Sequence, residues 1–585
     1  MSSRSMAAPP AVFVGALGLA GCAVATRSPV PALPDASLTA CAPNALGCTG
    51  TDVGRCRADG MGYELVEACE GDGEVCSEGR CVSLCEEALA DRSYEGCEFM
   101  AVDLDNHNEG AYLAATQQFA VVVSNVSPLR AHVTFQRGGT TDAEVDVDPG
   151  ALAVVPLPSC SVDGSETTER DGDEERLAHS AVTVCGVRVV SSAPIVAYQF
   201  NPLEPIGTYT EDASLLLPTS AWGPRYTVLG WPQTIGPRPP ATGEVTQARA
   251  FLAVVAKTAS QVQITLGDAA GYVRGLDGAT LGPGDVVEVD LDAGEVLNLE
   301  TTSLGSDFTG TRVEADAEVG VFSGNECAFV PFEFRGAGVV RYAACDHLEE
   351  QLLADRTQGR QFVLASLPSR SQAVSDSTVG RSTAVPVEEP DVFRVLNVGS
   401  AAATVETTLP APDDRFVLAP GEDRRLSLAG EAYVSADEPL SVMQFTTGQE
   451  YVRLGVAGGD PSSLVVAPID QYRSEYTVFV PEYHAFDFLQ LVVQQNAQTT
   501  IDGEPVEATC TSAEVGDTGL RVLRCPLSYP VIDESDPLRP TVEPGVQDDG
   551  VHRVRSSAPV GVAVYGFDSY KSYAYPGGLR LTTIE

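Results

Sequence analysis

One short phrase recurs four times along this chain and limits its fold more than any other feature. It reads Val190-Ser-Ser-Ala-Pro-Ile-Val-Ala-Tyr-Gln-Phe200, then Glu314-Ala-Asp-Ala-Glu-Val-Gly-Val-Phe-Ser323. It returns as Val434-Ser-Ala-Asp-Glu-Pro-Leu-Ser-Val-Met-Gln-Phe445 and as Val554-Arg-Ser-Ser-Ala-Pro-Val-Gly-Val-Ala-Val-Tyr565. Pro194, Glu318, Pro439 and Pro559 share one slot, at steps of 124, 121 and 120 residues. Proline has no N–H to give to a ladder, so the phrase reads as a polar turn feeding an alternating, half-buried strand. Near-constant spacing makes the chain a repeat protein.

The rest of each repeat follows one order. An aromatic strand opens it: Glu98-Phe-Met-Ala-Val102, Arg225-Tyr-Thr-Val-Leu229, Gln361-Phe-Val-Leu364 and Glu475-Tyr-Thr-Val-Phe479. A second strand begins at Phe119, Phe251, Phe393 and Phe488, and a third follows a polar turn. Turns at Asp148-Pro-Gly150, Gly282-Pro-Gly284 and Ala419-Pro-Gly421 precede a further strand. Short strands with frequent turn signals predict an all-β fold. The expected architecture is four tandem β-sandwich-like repeats at 97–222, 223–358, 359–472 and 473–585, with a ring or propeller-like closure of the same units as the alternative.

Ahead of the repeats, residues 1–22 read as an export signal, with Arg4, a short apolar run at 11–19 and Leu19-Ala-Gly-Cys22, which resembles a bacterial lipobox. The run is too short to span a bilayer. Cys22 is therefore the expected lipidation site, and residues 23–40 the tether to the folded part. Of 15 cysteines, 14 then remain, an even number suited to an oxidising compartment. Eight of them, from Cys41 to Cys97, crowd a stretch poor in large apolar residues; residues 41–96 read as a small disulfide-rich module. Leu84–Arg92 is the one helical pattern there. Within the repeats, Cys160 and Cys185, Cys327 and Cys345, and Cys510 and Cys525 are disulfide candidates. A formal charge of −45 repels phosphate backbones, so nucleic acid is not an expected partner.

Cys327 and Ala344-Cys-Asp-His-Leu-Glu-Glu-Gln351, with Pro194–Pro202, Asp212-Ala-Ser-Leu-Leu-Leu-Pro218 and Pro559–Gly566, resemble the N-terminal region of the IgG Fc-binding protein family. Many secreted bacterial lipoproteins share that region behind a cysteine-rich head. The resemblance covers about residues 97–585. It implies an extracellular, β-rich interaction protein; it names no ligand for a bacterial member and supplies no functional residue.

Signals of chemistry are few. No His-Glu-x-x-His, nucleophile elbow or phosphate-binding glycine loop is present. Glu326-Cys327 with Cys345-Asp346-His347 offers metal-type ligands or a thiol, against a simple disulfide with His347 and Glu349 at a turn. Asp103-Leu-Asp-Asn-His-Asn-Glu-Gly110 is similar to a calcium loop, but Ala114 stands where the bidentate glutamate belongs, so a solvated acidic turn is expected. The runs 163–176 and 533–536 read as exposed acidic insertions, and Trp222, Trp231, Tyr226 and Phe332 as core aromatics over a binding face. No catalytic residue, cofactor or metal is expected, and chelation should change the melting temperature little. The expected function is a non-enzymatic, envelope-anchored adhesion or binding protein with a protein or glycan partner. The alternatives are a structural matrix component and a hydrolase with a loop-built site.

Overall fold

The computed structural model describes residues 41–584 except 70, 72, 110–111, 166–177, 205–209, 236–246, 336–337, 381–383, 453–457 and 536–539. The export signal, Cys22 and the tether lie outside the described residues. The fold is all-β, with three short α-helices among the described residues: Leu84–Asp91, Arg370–Ser377 and Gln449–Val452.

Each recurring phrase lies inside one very long strand. These four spines are Gly186–Asn201, Arg312–Ala328, Glu431–Phe445 and Gly550–Asp568. Here the expected turn at the proline is corrected: the strand runs through it. Pairing with the aromatic strand skips there, between Val190 and Ile195, Glu314 and Val319, Ser435 and Leu440, and Arg555 and Val560. A register break asks for no ladder N–H at that point, which is how a strand accommodates proline. It also bends the strand, so each sheet curls into a half-barrel.

The halves of a spine take different partners. The N-terminal half pairs with the aromatic strand, as Phe99 with Val189, Tyr226 with Val313, Phe362 with Val434 and Tyr476 with Val554. Those spine residues repeat at the steps read from the phrase. The C-terminal half pairs on one side with Ala120–Asn125, Ala250–Ala256, Asp391–Asn397 or Phe486–Gln494. On its other side lies an inner strand: Asp212–Leu216, Asp346–Gln351, Ser463–Val465 or Lys571–Pro576.

Alternate units are the more alike. In the second and fourth, a tyrosine hydroxyl locks the bend, Tyr226 donating to Val319 O at 2.7 Å and Tyr476 to Val560 O at 2.6 Å. Phenylalanine replaces it in the first and third, where a buried asparagine instead closes a turn, Asn125 donating to Val147 O and Asn397 to Leu418 O. The Pro-Gly turns put Gly150, Gly284 and Gly421 at φ 72°, 82° and 78°, the left-handed region a side chain disfavours.

The four units close into a ring, the second of the two arrangements open from sequence. Asp212–Leu216 packs on Asp346–Gln351 and on Lys571–Pro576, and Ser463–Val465 touches both of the latter. Closure of last unit on first is aromatic. Tyr198 lies 5.1 Å from Tyr575 and 6.1 Å from Phe479, ring to ring, and Tyr94 Oη accepts from Thr477 N at 2.9 Å. One apolar core runs through all four units.

The N-terminal module is stapled by Cys41–Cys56, Cys48–Cys76, Cys69–Cys81 and Cys85–Cys97. The last of these ties it to the first unit, since Cys97 lies in the opening strand Gly96–Val102. Ser83 caps the helix between them, its side chain accepting from Glu86 N.

Candidate binding cleft between the third and fourth units

Residues that look like chemistry in sequence are distributed differently in space. Cys327 and Cys345 are bonded, as are Cys160 with Cys185 and Cys510 with Cys525. Glu326 and His347, on the paired strands Arg312–Ala328 and Asp346–Gln351, turn to different partners. His347 is not at a turn. It sits fully buried in the inner strand Asp346–Gln351, 3.3 Å from Glu349 and stacked on Phe251. The acidic loop at 103–108 is not solvated either: Asp103, Asp105, Asn106 and His107 are all buried. Its own unit's spine holds it, Gln199 Oε1 accepting from Val102 N and Asn201 Nδ2 donating to Leu104 O, and Glu300 and Glu326 of the second unit lie against Asp105. Trp222, Trp231, Tyr226 and Phe332 are core residues. Asp163 is buried, most of the run after it lies outside the described residues, and in the run at 533–536 Glu534 is buried rather than exposed.

The Asp346-His-Leu-Glu-Glu-Gln351 segment is a polar hub. Asp346 Oδ1 accepts from Glu211 N at 2.7 Å, Gln351 Oε1 from Leu217 N at 2.6 Å, and Glu349 Oε1 from Gln199 Nε2 at 3.1 Å. Ser572 N of the fourth unit reaches Asp346 Oδ2 at 3.3 Å. Burial pushes the Asp212 and Glu350 carboxyls well above the usual carboxylate range, and the negative charge of Glu349 adds to it. The hub's hydrogen bonds hold units together, from Gln199, Glu211 and Leu217 of the first and Ser572 of the fourth.

Concavity lies elsewhere, where the third unit meets the fourth. A cleft of about 610 Å³ opens between the helix Arg370–Ser377 and the sheet of the fourth unit. Its floor is aromatic: Phe486 and Phe488 alternate along one strand beside Tyr565 and Phe567 of the spine. Phe486 and Phe567 stack at 4.6 Å, Phe488 and Phe567 at 6.1 Å. Leu367 and the half-exposed Tyr529 form walls. Arg524 is fixed on the rim by Glu431 at 2.7 Å and by Ser366 O at 2.6 Å. Glu389 takes the first helical amides, Arg370 N and Ser371 N, so the helix that forms one lip is capped by a cleft residue. An apolar floor with a few fixed polar groups suits a partner's planar or aliphatic group.

The cleft is assembled from segments over 150 residues apart, so only its floor leaves a sequence signal, the Phe-x-Phe and Tyr-x-Phe alternation. The hub segment and the inner strands are the parts that also mark the chain's kinship. The IgGFc binding protein family profile matches residues 212–566, from the inner strand of the first unit to the spine of the fourth. The chain belongs to the IgGFc-binding protein family. The human IgGFc-binding protein is 25% identical to it over 431 residues, 73% of this chain. That stretch is 7% of the human protein, so the chain spans a small part of that relative's length. In this IgGFc-binding family member the matched region takes in the second and third units whole, the inner strand of the first and most of the fourth.

Proposed function

We propose that this chain is a non-enzymatic binding protein, exported and held at a bacterial cell envelope by lipid on Cys22, whose cleft between the third and fourth units takes a protein or glycan partner. Membership of a binding-protein family and seven disulfides suit a secreted or surface protein. The observation that carries the reading is the aromatic-floored cleft. It is open, apolar at the base and charged at the rim. The relative's name concerns antibody Fc; Fc is one partner to try among several.

The soluble fragment from Ala23 onward, probed on protein and glycan arrays that include Fc, is expected to show saturable binding. Tyr529→Ala, at a half-exposed wall, should weaken that binding at least about tenfold, the loss of one central aromatic contact. No binding at tens of micromolar, or full affinity in the variant, contradicts the assignment. Anchoring is tested separately. Cys22→Ser is expected to move the protein from the membrane pellet to the soluble fraction, and continued pelleting removes the lipid anchor from the account.

A further inference from the structure

Three carboxylates meet out of solvent where the first unit abuts the second. Asp105 comes from the loop after the first unit's opening strand. Glu300 closes Val296–Glu300 of the second unit, and Glu326 lies in its spine. One oxygen from each is within 4.8 Å of the others, and the residues are 7%, 1% and 6% exposed. Two oxygens bound to one calcium at 2.3–2.6 Å lie at most about 5 Å apart. A single ion therefore fits among the three.

Two further side chains bring oxygens that have nothing to bind. Asn298, two residues before Glu300 and on the same strand face, is fully buried. Its amide nitrogen donates to Glu300 Oε1 at 3.4 Å, and its Oδ1 has no donor. Asp163, 4% exposed, uses Oδ1 for Ser161 and Ser165 and leaves Oδ2 without a donor. Its charge bears on both Glu300 and Glu326.

The charge balance points the same way. Four carboxylates face one guanidinium, Arg249, whose Nε is 3.6 Å from Glu300 Oε2. His107, beside Glu326, is the other group there able to carry positive charge. Carboxylates therefore outnumber cationic side chains in a water-poor place, a surplus that a bound cation would offset. All candidate donors are oxygens apart from the imidazole, and all fourteen described cysteines are in disulfides, so the set is hard.

We infer that Asp105, Glu300 and Glu326, with the Asn298 amide oxygen beside them, form a calcium site that clamps the first unit to the second. Its ligands are gathered from separate segments, which is why no contiguous calcium motif is present. The site stands apart from the cleft and does not depend on the binding function.

The soluble chain from Ala23, stripped with chelator and returned to calcium, tests this. One calcium per chain is expected to survive gel filtration, whereas ions loosely gathered by the acidic surface wash away. At 1 mM calcium the melting temperature is expected to rise by about 5 °C, more than the small chelator effect expected from sequence alone, with magnesium giving clearly less because it demands a tighter, near-ideal octahedron and gives up water reluctantly. Asp105→Asn, nearly isosteric, is expected to abolish the retained calcium and the rise in melting temperature. Metal analysis of the unaltered chain needs no variant: no retained calcium there overturns the site. So does an equal response to magnesium, or an undiminished calcium response in a folded Asp105→Asn protein.

Discussion

Arg394→Met is expected to lower stability by about 3–5 kcal/mol, the usual result of leaving buried carboxylates without their partner. Arg394 lies in the strand Asp391–Asn397 of the third unit, with its side chain 2% exposed. Its guanidinium forks onto Asp423, Nε to Oδ2 and Nη2 to Oδ1 both at 2.8 Å. Nη1 crosses into the second unit, donating to Asp307 Oδ2 at 2.5 Å and to Gly230 O at 2.6 Å. Burial alone would raise the Asp307 carboxyl, yet the Arg394 charge holds it below the usual carboxylate range. Chemical denaturation measures the loss. Arg394→Lys should recover only part of it, since an ammonium cannot make the paired contact. Adding Asp307→Asn to Arg394→Met should restore some stability, because one orphaned charge goes. Additive losses would mean that the pair does not couple the two units.

The second large effect is on pH. Burial lifts the Asp391 carboxyl to about 6, against the bonds from Leu367 N and Gln444. Burial likewise lifts Asp355 to about 6, against the bonds from Thr227. An unfolded aspartate titrates near 3.9. The folded state therefore holds the proton more tightly, and the stabilisation is complete below about pH 4, is lost as pH rises through 6, and is flat above about 7. His552, raised by Asp502 and Asp548 in spite of burial, loses stabilisation in the same direction as pH passes its folded value. A tenfold change in proton affinity is worth about 1.4 kcal/mol, so the two aspartates together supply several kcal/mol. Melting should occur higher at pH 5 than at pH 8, and Asp391→Asn should flatten part of that slope. A melting temperature that climbs from pH 5 to 8 would contradict the protonated state of these buried carboxyls.

How far the sequence can be read depends on the range of the contacts involved. Periodicity is local, and the steps between Pro194, Glu318, Pro439 and Pro559 reappear as the register of Val189, Val313, Val434 and Val554. What the proline does is not legible in the same way, because a bulge and a turn leave the same mark in one strand's residues. Ring closure rests on pairs such as Tyr198 with Tyr575, which no local pattern encodes. Asp103–Asn108 has the composition of a surface turn; its burial comes from distant partners, Cys160 and Asn201 of its own unit and Glu300 and Glu326 of the next. The same holds for Asp105, Glu300 and Glu326, whose carboxylates are unremarkable in an acidic chain until the fold brings them to one point. In the cleft, the Phe486 and Phe488 alternation is visible in sequence, but Leu367 and Arg524, which meet there, are 157 residues apart in the chain.

The closed ring can be tested with one distance. Asp91 lies 3.1 Å from Arg473, and the exposed Glu475 is two residues further, about 7 Å along the strand. Spin labels at 91 and 475, with the native disulfides intact, are expected to be within about 25 Å of each other once the label tethers are added. An open row of four units, each about 35 Å across, would put them on the order of 100 Å apart. A distance distribution centred at the longer value would contradict the ring.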